Sequence, residues 1–280
     1  MAGGRVTDED RAEVAQTRAE AAAGAAVEPR ETIAEVRDVD AAGVRCRLYA
    51  PTTPRGVLLY FHGGGFVYGD LETHDAHCRR TVNRSGWAVL AVHYRRAPEH
   101  PFPAAVEDAT AVGDWVASRR GDLVGDVPHV VAGDSAGANL ALTVALAHPD
   151  AFAGQLLVYP FLDPSCDTYD REIRDADFPV EALAWFWRMY LPGDEMADDL
   201  RADPLLASSY AGLPAALVQL AELDVLTPTG RQLADRMAGD EVPVDVVVYR
   251  GVGHGFWRHD DNDQHDPAQR DVAAFLARLA

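Results

Sequence analysis

The chain has 280 residues, 48% of them hydrophobic, which suits one large domain with a buried core and excludes a disordered chain. Its formal charge of -19 argues against nucleic-acid partners and stable association with anionic membranes, since both need a basic face. All basic residues are Arg; without Lys, Schiff-base chemistry, a Walker-A lysine and a Ser-Lys dyad are excluded.

The first segment predicts a helix. Thr7 and Asp10 have the spacing of a capping box, helix-forming residues follow to about Ala26, and Pro29 breaks the run. Two strand-like runs over about 32–49 flank a turn at Ala41-Ala42-Gly43. Short apolar runs then predict strands at 56–61, 88–93, 129–132, 155–159, 216–221 and 242–249, alternating with helical stretches. The expected class is α/β: a mostly parallel eight-stranded sheet flanked by helices in a single domain spanning 1–280.

Residues about 164–206 interrupt the alternation. Pro179 can start a helix there and Pro192-Gly193 can end it. The intervening sequence is apolar nearly all round apart from Glu181 and Arg188, so the helix must be covered on several sides. A lid that also packs on the N-terminal helix meets that requirement. Phe66, Tyr68, Trp185, Phe186 and Trp187 are candidates to line a substrate pocket, although each suits plain core packing equally well.

The chemistry centres on Gly133-Asp134-Ser135-Ala136-Gly137. This G-x-S-x-G follows the predicted strand at 129–132 and precedes an apolar helix at 138–147, the setting of a nucleophile elbow. With 6 Ser and 23 Gly, chance alone supplies about 0.04 such motifs. A serine hydroxyl needs a base and the base needs an orienting acid. Asp224 follows the strand at 216–221, and His254 lies among glycines after the strand at 242–249, which gives the order Ser, Asp, His. Glu222 is the rival acid. His62-Gly63-Gly64-Gly65 follows the strand at 56–61, and its bare backbone suits N–H donors aimed at a developing oxyanion, with the N–H of Ala136 as a further donor. Activity is expected to fall on an acid limb near about pH 6 to 7 as the His254 imidazole takes up a proton.

The segments 62–75, 94–109, 133–142 and 251–256, together with Asp224, resemble the hormone-sensitive-lipase-like esterases and lipases over roughly residues 45–278. The resemblance implies an α/β-hydrolase fold with a small helical cap built from about 1–30 and about 164–206. It implies hydrolysis of short- to medium-chain carboxylic esters by Ser135, Asp224 and His254 without a cofactor. By the family's pattern the oxyanion donors fall on Gly64, Gly65 and Ala136, with Gly63 a neighbouring candidate. His62 is structural in that pattern, Tyr94 to Pro98 stabilise the region near the site, and pairing of the 242–249 edge into a homodimer is expected. The family's D-P-L-R-D segment reads Asp224-Val225-Leu226-Thr227-Pro228 here, which removes no catalytic group.

Other readings follow from the same triad: an amidase, lactonase or formamidase, or a non-catalytic small-molecule binder, against which the presence of His254 speaks. No metal is expected. His74, His77 and Cys78 belong to the stretch after the glycines, and 259–266 reads as a solvated loop. Cys46, Cys78 and Cys166 form no C-x-x-C pair, and the acidic N-terminus lacks an apolar leader, so a cytoplasmic protein without disulfides is expected.

Overall fold

The computed structural model describes residues 5–119, 121–173 and 178–280; the parts of the expected cap at 1–4 and 174–177 lie outside the described residues. Eight strands form one sheet: β1 Glu35–Ala41, β2 Val44–Ala50, β3 Val57–Phe61, β4 Ala88–Val92, β5 His129–Asp134, β6 Gly154–Val158, β7 Ala215–Ala221 and β8 Val244–Tyr249. Their order is β1-β2-β4-β3-β5-β6-β7-β8. β2 runs antiparallel to β1 and β4, and all other neighbours are parallel.

The strand period of two decides which core each side chain joins. In β3, Val57, Leu59 and Phe61 enter one apolar cluster while Leu58 and Tyr60 enter the other. The first cluster is covered by α3 Ala104–Ser118, α4 Ala136–Ala147 and α6 Thr227–Gly239. The second is covered by α2 Asp75–Ser85 and α7 His265–Ala277. With both faces covered, β3 to β6 are buried along their whole length, which is why they read as unbroken apolar runs.

Two further helices, α1 Asp8–Val27 and α5 Val180–Tyr190, pack together beyond the first layer. The predicted capping box is present: Thr7 Oγ1 accepts the Asp10 N–H at 3.1 Å and the Asp10 carboxylate accepts the Thr7 N–H at 2.8 Å. Asp10 also accepts from Trp185 Nε1 at 2.9 Å and from Arg188 at 2.9 and 3.1 Å. Burial pushes this carboxyl up, but the bonds from Thr7, Arg188 and Trp185 outweigh it and hold the group well below the usual carboxylate range.

Asp10→Ala removes a cap and an ion pair and leaves Trp185 Nε1 without its acceptor. It is expected to cost about 1–3 kcal/mol, seen as a fall of several degrees in Tm by circular dichroism. Because the folded-state pKa is lowered, the contact contributes stability above the unfolded carboxylate value of about 3.9 and loses it on acidification below that.

Candidate active site

The parallel strands deliver their following loops to one end of the sheet, and the chemistry-bearing residues meet there. Between β5 and α4, Ser135 takes φ 53° and ψ -120°, a conformation that costs about 1–3 kcal/mol for a residue with a Cβ. Its own backbone bonds hold it there. The N–H donates to Val158 O at 2.9 Å, and the carbonyl accepts from Phe161 N at 3.1 Å and Ala138 N at 3.0 Å.

Ser135 Oγ lies 2.9 Å from His254 Nε2, and His254 Nδ1 lies 2.7 Å from Asp224 Oδ2. Facing a carboxylate, Nδ1 is the donor, which leaves Nε2 with the lone pair that can accept the serine proton. Asp224 is 1% exposed, and its other oxygen accepts the Leu226 N–H at 3.0 Å. Glu222 is exposed and accepts from Gly251 N at 2.8 Å, so it takes no part in orienting the imidazole. Pro228 sits in the first turn of α6, where its missing N–H costs no helical bond, so the departure from the family's acid segment is accommodated. Tyr159 covers one side of the His254 ring at 4.4 Å between centroids, and Phe178 meets it edge-on at 5.5 Å.

The glycine loop after β3 stands opposite. Gly64 has φ 111°, and a Cβ there would lie 2.4 Å from Tyr68 O. No acceptor for the N–H groups of Gly64 and Gly65 is found among the described residues, and the Ala136 N–H opens α4. Gly63 differs: its N–H donates to Asp134 Oδ1 at 2.9 Å, so the neighbouring oxyanion candidate is already committed. Asp134 Oδ1 also accepts from Tyr60 at 2.6 Å. Burial raises the Asp134 carboxyl above its ordinary value against the pull of those bonds and of Arg258. His62 stacks on Tyr94 at 4.3 Å and accepts the Tyr94 hydroxyl on its carbonyl oxygen at 2.7 Å. Burial pushes its imidazole down to about 3, so it supports the loop as a neutral ring.

These groups border a cleft of about 250 Å³. Of the five aromatic candidates, Tyr68 and Phe186 line it. Phe66 and Trp187 do not: they are fully buried, Phe66 stacked on Tyr190 at 3.8 Å and Trp187 on Phe161 at 4.2 Å. Trp185 turns instead to Asp10 of α1. Phe161, Phe178, Leu183 and Arg258 line the cleft, and the sequence did not single them out. Arg18 was also unforeseen. From α1 it donates to Val67 O at 2.8 Å and Ala97 O at 2.7 Å, fixing the chain beyond the glycines. The 259–266 stretch is not simply solvated, because His265 is buried at the start of α7 and His259 borders the cleft. No group of side chains that could hold a metal ion is found among the described residues. No helix among them is long and apolar enough to cross a membrane.

Residues 58–258 match the family model described as the alpha/beta hydrolase fold. The chain is 36% identical to Esterase LipI of Mycobacterium tuberculosis over 249 residues, covering 81% of this chain and 78% of that protein. It is 38% identical to Carboxylic ester hydrolase LipN of the same organism over 230 residues, 76% of this chain and 61% of that longer protein. The hyperthermophilic esterase from the archaeon Pyrobaculum calidifontis superimposes with a TM-score of 0.85 at 34% identity, covering 95% of this chain and 94% of that one. The metagenomic carboxylesterase EstE1 gives 0.86 at 36%, covering 95% and 97%.

Gly137→Ala is expected to abolish the elbow, because the added Cβ would lie 1.9 Å from Phe61 O, a backbone atom that cannot move aside. Gly24→Ala in α1 meets nothing within 4 Å and is expected to stabilise by about 0.5–1 kcal/mol. Thermal denaturation of the two variants checks both signs.

Proposed function

Because the chain belongs to the alpha/beta hydrolase fold family, we propose that it is a serine carboxylesterase acting on short- to medium-chain carboxylic esters through an acyl-enzyme. The observation that carries the mechanism is the continuous hydrogen-bonded chain from Ser135 through His254 to Asp224, facing the glycine loop.

His254 Nε2 takes the proton of Ser135 Oγ as that oxygen attacks the ester carbonyl carbon. The carbonyl oxygen becomes an oxyanion, received by the N–H groups of Gly64, Gly65 and Ala136. Asp224 stabilises the resulting imidazolium, which protonates the leaving alkoxide as the carbon–oxygen bond breaks. Water, deprotonated by His254, then attacks the acyl-enzyme through a second oxyanion, and Ser135 leaves with the returned proton. No cofactor enters these steps. Helices α1 and α5 act as the cap of a single domain, with Phe186 and Leu183 of α5 turned to the cleft. The cleft volume of about 250 Å³ favours short acyl groups.

β8 ends the sheet with a half-exposed outer edge, Val246 being 42% exposed, and a second copy pairing there gives a homodimer. Light scattering is expected to return the dimer mass, and a monomer mass removes that reading.

The mechanism is tested with p-nitrophenyl esters from acetate to palmitate. Turnover is expected to peak at short chains and to fall by at least about a thousandfold in Ser135→Ala. Activity persisting in that variant would eliminate Ser135 as nucleophile.

A further inference from the structure

The cleft beside Ser135 has two unlike walls. Tyr68, Phe161, Phe178, Leu183 and Phe186 make one of them apolar. The other contains Arg258, with Asp134 and Tyr159 nearby. The Arg258 backbone is fixed just beyond the turn that bears His254: its N–H donates to Gly255 O at 3.1 Å, and its carbonyl accepts from Arg80 at 2.9 Å. Its guanidinium, by contrast, makes no hydrogen bond or ion pair among the described residues, although the chain carries 44 carboxylate side chains and a formal charge of -19. A partly covered guanidinium with five N–H donors and no acceptor is an unfinished contact.

Two neighbours leave it unfinished. Tyr159 lines the same wall, its hydroxyl shielded from the cleft with the Trp257 backbone N–H against it. Asp134 is the facing carboxylate, and the Arg258 charge favours its ionised form. Asp134 is nevertheless engaged by Tyr60 and Gly63 and does not come within ion-pair distance of Arg258. The guanidinium is the one cationic side chain of Arg type among the described residues lining the cleft.

We propose that Arg258 forms a carboxylate-recognising subsite of the ester cleft, so that favoured substrates carry a free carboxylate away from the scissile bond. Half-esters of short dicarboxylic acids are the simplest members of this class. Such a ligand lays its chain between the two walls and its carboxylate against the guanidinium fork, a geometry that rewards two oxygens at once. This assignment rests on the esterase reading, but concerns which ester is chosen rather than how the bond breaks.

The test compares kcat/KM for monoethyl glutarate with that for ethyl pentanoate, and for the butanoyl ester of glycolate with that for ethyl butanoate. The first pair places the charge on the acyl side and the second on the alcohol side. In Arg258→Gln the charged-to-neutral ratio is expected to fall about tenfold or more in at least one pair, chiefly through KM, with Arg258→Lys restoring part of it. An unchanged ratio, or an equal loss on charged and neutral esters, overturns the subsite while the esterase reading stands. Wild-type protein that hydrolyses none of the four esters removes both. Should the Arg258 variants fail to fold, wild-type inhibition decides: the monoamide of glutarate, which carries one free carboxylate, is expected to compete better than the neutral pentanamide against a neutral ester, with the advantage shrinking as salt rises. Equal inhibition by the two overturns the proposal.

Discussion

Much of this molecule depends on one close approach, that of Gly137 to the carbonyl oxygen of Phe61. There is no room for a Cβ between them. The contact seats the first turn of α4 against the end of β3, which is already paired in register with β5 from Val57↔His129 to Phe61↔Gly133. The loops leaving β3 and β5 therefore emerge side by side, and Gly64, Gly65 and Ser135 border the same cleft. A parallel sheet places the loop ends together for every such pair of strands. The glycine then sets the spacing between them, and the positive φ of Ser135 aims the side chain outward.

Around that point, polar groups are buried in arrangements that fix position without adding mobile charge. His62 is neutral because burial leaves it no room to be otherwise, and its stacking on Tyr94 braces the strand end. Asp134, the residue before Ser135, ties Tyr60 of β3 and the N–H of Gly63 to the end of β5. The loop is thereby joined to the elbow by a side chain from the elbow itself. In the esterase mechanism proposed above, preorganisation of this kind would let the loop donors meet a developing oxyanion without reorganising at the moment of reaction.

The sheet, its edge strand, the capped first helix and the order Ser135, Asp224, His254 were legible in the sequence because each depends on local pattern: period two, a capping box, turn chemistry or motif spacing. The pocket aromatics were legible only in part. Trp185, Phe186 and Trp187 are consecutive on α5, so successive side chains point about 100° apart. One meets α1, one meets the cleft and one meets the core, and an all-round apolar helix gives no sign of which is which. Phe66 looked accessible beside the glycines but is consumed by Tyr190 and Phe161. Arg18 and Arg258 carried no motif at all, because their partners lie far away in sequence or are not part of the chain.

The N-terminal helix lends no described residue to the cleft lining, yet it holds two segments that border the cleft. At its start, Asp10 holds Trp185 and Arg188 of α5. Two to three turns later, Arg18 holds the carbonyls of Val67 and Ala97 and pairs with Glu99. The same element thus grips the helix that lines the apolar wall and the chain that continues from the glycine loop. Lifting α1 from the body would break both sets of charge-assisted bonds together, each worth more than a neutral hydrogen bond. The shape of the apolar side of the cleft and the placement of the glycine loop are therefore mechanically linked through one surface helix, although no described residue of that helix lines the cleft.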